Sequence, residues 1–139
     1  MAKQSGVGWT TLTVADAAAA AQVIKNDVTN LTISTPRSVQ DITGVDKSAI
    51  ERLLLLADMS LTLNGVFNPS ATFSHAVFSS VPSTSVARAF TLTVNGVSLG
   101  TTNSPTLLFT DYQLARPAGG ELTWSAPGVL ANGAVPAWS

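Results

Sequence analysis

Polar and apolar positions along this chain alternate mostly with a period of two. The pattern is clearest in the stretch Leu53–Pro69, LLLLADMSLTLNGVFNP, where Met59, Leu61 and Leu63 fall on one side and Ser60, Thr62 and Asn64 on the other. That period belongs to a half-buried β-strand. The apolar side is expected to pack the core. The other side carries hydroxyls and an amide rather than charges, a surface better suited to another protein than to bulk water. Asn64–Gly65 reads locally as a hairpin turn, but Asn68–Pro69 follows so closely that a bend into a helix fits better.

The same reading gives strands at Trp9–Val14, Val28–Thr35 with Leu31 and Ile33 on one face, and Val39–Ile42. Phe90–Leu99 reads as a hairpin turned at Asn95–Gly96, with Phe90, Leu92 and Val94 on one face. Its hexad LTVNGV echoes LTLNGV at Leu61–Val66, through shared turn chemistry or a decayed duplication. Thr106–Ala115 places Leu108, Tyr112 and Leu114 on one face, and Glu121–Ala126 turns Leu122 and Trp124 inward. Ala15–Ile24 is ambiguous: alanine favours a helix, while the β-branched flanks favour a hairpin around Asp16–Ala19. In Val45–Leu56, Asp46 can cap a short turn at Ser48–Arg52 before strand resumes near Leu54. One helix is expected from Asn68–Pro69 to Pro82, about ten residues held by packing, with Phe73, Ala76, Val77 and Ser80 as its stripe. The expected fold is mainly β: an antiparallel sandwich or partly closed barrel of about seven strands with one flanking α-helix. It forms a single domain over residues 1–139, with a flexible arm at Met1–Gly8 and an extended tail at 127–139.

Composition sharpens the meaning of the hydroxyl faces. Hydrophobic residues are 45% of the chain and charged residues only 11%, against about 25% charged in typical proteins. Seventeen Thr and fifteen Ser stand where Lys and Glu would normally solvate a surface. Either this is a soluble β protein with a Thr-rich exterior, or it buries much of its surface against copies of itself, since obligate interfaces are depleted in charge. A net charge of −1 with scattered Lys and Arg argues against nucleic-acid binding through a basic patch. There is no cysteine, the N-terminal stretch lacks the apolar segment of a signal peptide, and no apolar run approaches membrane-spanning length.

Motifs for chemistry are weak. Gly96–Gly100 matches G-x-S-x-G, but no helix can follow it and the only histidine, His75, precedes it, so Ser98 is read as a hairpin residue. His75 has no ligand partner near in sequence and is expected to be a helical hydrogen-bonding residue, partly exposed or at an interface. Asp41, Asp46, Glu51 and Asp58 are dispersed and form no recognisable catalytic pair. Asn30–Thr32 matches a glycosylation sequon only by chance. Trp9, Trp124 and Trp138 read as core or staple residues. No catalytic, cofactor or metal residue is assigned, and no enzyme activity is expected.

Three runs carry a family resemblance: Asp41–Gly44; Asp46–Arg52; and Ala57–Phe67. With Ser74–Phe78 and the ending Leu122–Trp124 and Pro127–Gly128, they resemble the tail tube (major tail) proteins of long non-contractile-tailed bacteriophages. The resemblance implies hexameric rings stacked into a tube that conducts DNA during ejection without binding it specifically. It implies tail terminator, tail tip and tape-measure proteins as partners, and a location in the virion tail after assembly in the host cytoplasm. It also implies a hairpin at Ala15–Ile24 and a loop at Asp46–Arg52 that reaches the next ring. The expected contact residues are then Asp46, Lys47, Glu51 and Arg52 in that loop, Ser60, Thr62 and Asn64 toward a neighbour or the lumen, and His75. Another virion β-protein, such as a capsid decoration or head–tail joining protein, and a monomeric ligand-binding sandwich are the alternatives.

Overall fold

The period-two pattern is realised as twelve strands and one short helix in the computed structural model, which describes residues 9–102 and 105–138. The expected arm at Met1–Gly8 lies outside the described residues. In chain order the strands are β1 (Thr11–Ala15), β2 (Ala21–Val23), β3 (Val28–Ser34), β4 (Arg37–Asp41), β5 (Arg52–Ala57) and β6 (Ser60–Val66). Helix α1 (Ser74–Phe78) follows, then β7 (Arg88–Val94), β8 (Val97–Thr102), β9 (Thr106–Phe109), β10 (Gln113–Ala115), β11 (Thr123–Leu130) and β12 (Ala137–Trp138). All pairings are antiparallel.

One layer runs β2-β1-β7-β8-β12. The other runs β3-β6-β11, with β10 on Thr123–Ser125 and β9 on Gly128–Leu130 of β11. The first residues of β7, Arg88 and Ala89, pair with β9 and join the layers, and the path ends at β12 and β3 without closing. A strand that changes partners in this way makes the corner of a sandwich. Between the layers lie Leu12, Val14, Phe90, Leu92 and Leu99 from the first, and Leu61, Leu63, Leu107, Trp124 and Ala126 from the second. Helix α1 adds Val77 and Phe78, and Phe78 packs edge-on to Phe109 at 5.0 Å and against Trp124 at 5.2 Å.

Local chemistry explains where the elements differ from expectation. Ala15–Ile24 is a hairpin. The Asp16 carboxylate accepts the amides of Ala18 and Ala20, and Ala19 takes the left-handed conformation at φ 64. Side-chain capping of the turn thus overrides the helix preference of the alanine run. These hydrogen bonds, with Gln22, hold the Asp16 carboxyl below its ordinary range. The helix is half its expected length. Thr72 sits at φ 69 and Phe73 is extended, so α1 begins only at Ser74, whose amide donates to the buried Asp27 carboxylate at 3.0 Å. The inward residues are Ser74, Val77 and Phe78; Ala76 is exposed. Thr106–Ala115 divides into β9 and β10, with Leu107 and Phe109 inward and Leu108 outward. Residues 127–130 belong to β11 and 137–138 pair with β8, so only part of the expected tail is irregular. Gly65 is not a bend. It lies within β6, where a Cβ would stand 1.9 Å from the Asp27 carbonyl oxygen.

The largest correction concerns Leu53–Pro69. The ribbon closes at Asp58, whose amide donates to the Pro36 carbonyl at 2.9 Å, and the four leucines before it are not core. Met59, Leu61 and Leu63 are fully buried, whereas Leu53–Leu56 lie on a separate two-stranded ribbon, β4–β5, and are exposed. The turn expected at Ser48–Arg52 is a non-helical tip between these strands.

Candidate interaction surfaces

The ribbon is held together by its own strand pairing and side-chain hydrogen bonds. Its register pairs Val39 with Leu54, Gln40 with Leu53 and Asp41 with Arg52, with a bulge between Arg37 and Val39. Arg37 closes the bulge: its Nε and Nη2 both donate to the Leu55 carbonyl, at 3.0 and 2.7 Å. At the neck of the tip, the Thr43 hydroxyl donates to Asp41 Oδ1 at 2.6 Å and accepts the Glu51 amide at 2.9 Å. The Thr43 amide also donates to Asp41, and together these bonds hold the Asp41 carboxyl below its ordinary range. Lys47 and Glu51 approach to 3.6 Å across the tip and are both solvent-accessible, so this pair contributes little. No residue from 34 to 58 belongs to the core cluster or is counted among the residues packed on it. Val39 is 55% exposed, Leu53 52%, Leu54 54% and Leu56 87%.

The second surface is the outer face of the β3-β6-β11 layer. Register places Asn30 beside Asn64, Thr32 beside Thr62 and Ser34 beside Ser60. It then places Ser125 next to Asn64, and Val129 next to Ser60, with Leu108 beyond Val129. Gln113 and Thr123 complete the polar end. None of the strand positions on this face carries a charge.

The structure thus divides the expected contact residues into two groups. Asp46, Lys47, Glu51 and Arg52 sit at the ribbon tip and its root in β5; Ser60, Thr62 and Asn64 line the uncharged face. His75 belongs to neither. It is half-buried on α1, its ring 5.0 Å from that of Phe67 and its Nδ1 3.1 Å from the Tyr112 hydroxyl. Burial pushes the Tyr112 phenol above its ordinary pKa. The leucines themselves are what the sequence reading missed. Four consecutive leucines do not alternate, and that signal separates them from the alternating run after Asp58.

The interior polar groups serve packing. Asp27 accepts Asn68 Nδ2 and the Ser74 amide, tying α1 to the end of β6. Arg88, only 1% exposed, donates to the carbonyls of Ala15 and Val77 and to the Ser80 hydroxyl. Burial lowers its pKa, while the charge of Asp16 opposes the shift. Ser98 lies on β8 with its hydroxyl 3.0 Å from that of Thr93, as expected of a hairpin residue. Two open clefts, of about 390 and 420 Å³, flank β3, and neither gathers more than one ionisable side chain. Among the described residues no three His, Cys, Asp or Glu side chains converge on a point, and no helix is long and apolar enough to cross a membrane.

Comparison with solved structures places this fold. The chain is similar over 99% of its length to a chain in the virion of the native gene transfer agent particle, with 15% identity, 99% of that chain covered and a TM-score of 0.68. It is equally similar to a chain in the tail of the empty gene transfer agent particle, reconstructed with helical refinement and C6 symmetry. There the identity is 17%, coverage is 99% of this chain and 98% of the other, and the TM-score is 0.68. No family model matches the chain, and no curated protein matches it in sequence.

Proposed function

We propose that this chain is a tail tube subunit, a structural protein of a phage-like virion with no enzymatic role, which assembles into hexameric rings stacked as a tube. The observation that carries this reading is the β4–β5 ribbon, an apolar projection that its own sandwich leaves uncovered. An exposed strand of four leucines, paired with a second strand that adds Val39, is an aggregation hazard in a monomer and a contact in an assembly. The likeness in fold to a chain of a C6-symmetric tail supports a tail over other assemblies. A ring is a heterologous interface that closes by rotation. Asp46, Lys47, Glu51 and Arg52 are the proposed contacts between rings, and the Ser60–Thr62–Asn64 face is proposed to meet a neighbour or line the lumen. His75 is proposed as a contact through its remaining open edge. An uncharged lumen would let DNA pass during ejection without holding its phosphates. Terminator, tip and tape-measure proteins are the other proposed partners, and the host cytoplasm the proposed site of assembly.

Negative-stain microscopy of the purified protein at rising concentration tests the reading. Long tubes with regular ring striations are expected. A chain that remains a dispersed monomer at every concentration would refute it.

A further inference from the structure

The ribbon carries more information than its exposure alone. A strand that lies on one surface shows an apolar face inward and a polar face outward, whereas a near-continuous apolar run marks a strand covered on both faces. In the ribbon β5 has the second pattern, with Leu53–Leu56 in a row, while β4 adds Val39 among polar residues. One face presents Val39 and Leu54, directly paired and each more than half exposed. The opposite face presents Leu53 and Leu55, at 52% and 39%. Neither face packs on the sandwich of its own chain.

We infer that the ribbon is a wedge: in the assembly it inserts between two different copies of this chain, with the Val39–Leu54 face against one and the Leu53–Leu55 face against the other. The inference rests on the tail tube reading and deepens it by assigning each face its own partner. Three observations point to copies of this chain as the occupants. The charges of the tip and its neck, Asp41, Asp46 and Glu51 against Lys47 and Arg52, sum to only −1, so like copies meet there with little net repulsion. The outer face of the β3-β6-β11 layer is uncharged and holds Leu108 and Val129 side by side in register, each about two-fifths exposed, which offers apolar area without a desolvation cost for charges. The ribbon's reach also suits insertion beyond its own subunit: six residues of β5 at about 3.3 Å each extend it roughly 20 Å before the tip. A two-stranded ribbon of this kind is marginal in water by itself, so covering both faces also fixes its shape.

The experiment separates the two faces. One variant carries Val39→Ser and Leu54→Ser, the other Leu53→Ser and Leu55→Ser. Because the ribbon lies off the core, both should melt at the temperature of the parent chain. Each alone should abolish tubes in negative stain. The absence of cysteine allows a second measurement on assembled tubes. Leu53→Cys and Leu54→Cys, each labelled separately with a short photo-crosslinker, should give crosslinked peptides from two different segments of neighbouring copies. If either serine variant forms tubes like the parent, or both crosslinkers capture the same segment, the ribbon lies on a single surface and the wedge is refuted while the tube reading stands. A parent chain that stays monomeric at every concentration refutes the tube reading and the wedge together.

Discussion

At the scale of single residues, the same short word serves two geometries. Asn95–Gly96 turns a hairpin, with φ of 50 and 82. Asn64–Gly65, in a nearly identical hexad, runs straight through β6. What differs is the environment. Gly65 is required because the Asp27 backbone crosses against it and the Trp124 indole lies beside it, donating to the Val66 carbonyl. A methyl group at 1.9 Å from a backbone oxygen cannot be accommodated by a rotamer change. Gly65→Ala is therefore expected to destabilise by about 4 kcal/mol or more and to yield little folded protein by circular dichroism, whereas Gly96→Ala meets open space and costs only its positive φ. Arg88 makes the converse point, that a buried charge can be structural. Replacing it by Ala leaves two backbone carbonyls without their donor and opens a cavity, and should cost about 3 kcal/mol in urea denaturation. Arg88→Lys should recover only part of this, because an ammonium lacks the planar fork that reaches the end of β1 and the helix segment together.

Among the elements, those set by alternation and by local turn chemistry were legible in the sequence. The Phe90–Leu99 hairpin, the inward Met59, Leu61 and Leu63, and the inward Trp124 were all readable from period two and Asn–Gly. The helix length was not, because Asp27, 47 residues before Ser74, decides where α1 starts. The exposure of the leucine run was also hidden, since a continuous apolar segment reads alike whether its cover comes from its own chain or another. Of the proposed site, the charged tip and the hydroxyl face were readable and the apolar ribbon between them was not. The tip itself makes a titration prediction. Hydrogen bonds from Thr43 lower the Asp41 pKa in the folded chain, so their contribution to the neck is present above the ordinary carboxylate value and is lost as pH falls through the lowered one. The carboxyl-carbon shift of Asp41 should titrate with a midpoint below 3.8, and Thr43→Val should return it toward that value. A midpoint at or above 3.8 in the parent chain would show that Thr43 does not hold the neck.

For the whole molecule, the balance between charge and apolar area sets how assembly should respond to conditions. The chain carries a net charge of −1, its strand faces are Thr- and Ser-rich, and the one ion pair among the described residues is exposed. Its exposed leucines are where association can gain most from removing area from water. Burial of that kind weakens on cooling, and screening barely touches it even where the Debye length falls to about 3 Å at 1 M salt. Tubes followed by light scattering should therefore survive a rise from about 0.1 M to about 1 M sodium chloride. On cooling from about 37 °C to about 4 °C the concentration needed to form them should increase. The opposite response, tubes stable in the cold and dissolved by salt, would mean that ion pairs of Asp46, Lys47, Glu51 and Arg52 with neighbouring copies dominate. In that case Glu51→Ala with Arg52→Ala, rather than the serine substitutions in the ribbon, would be the change that stops assembly.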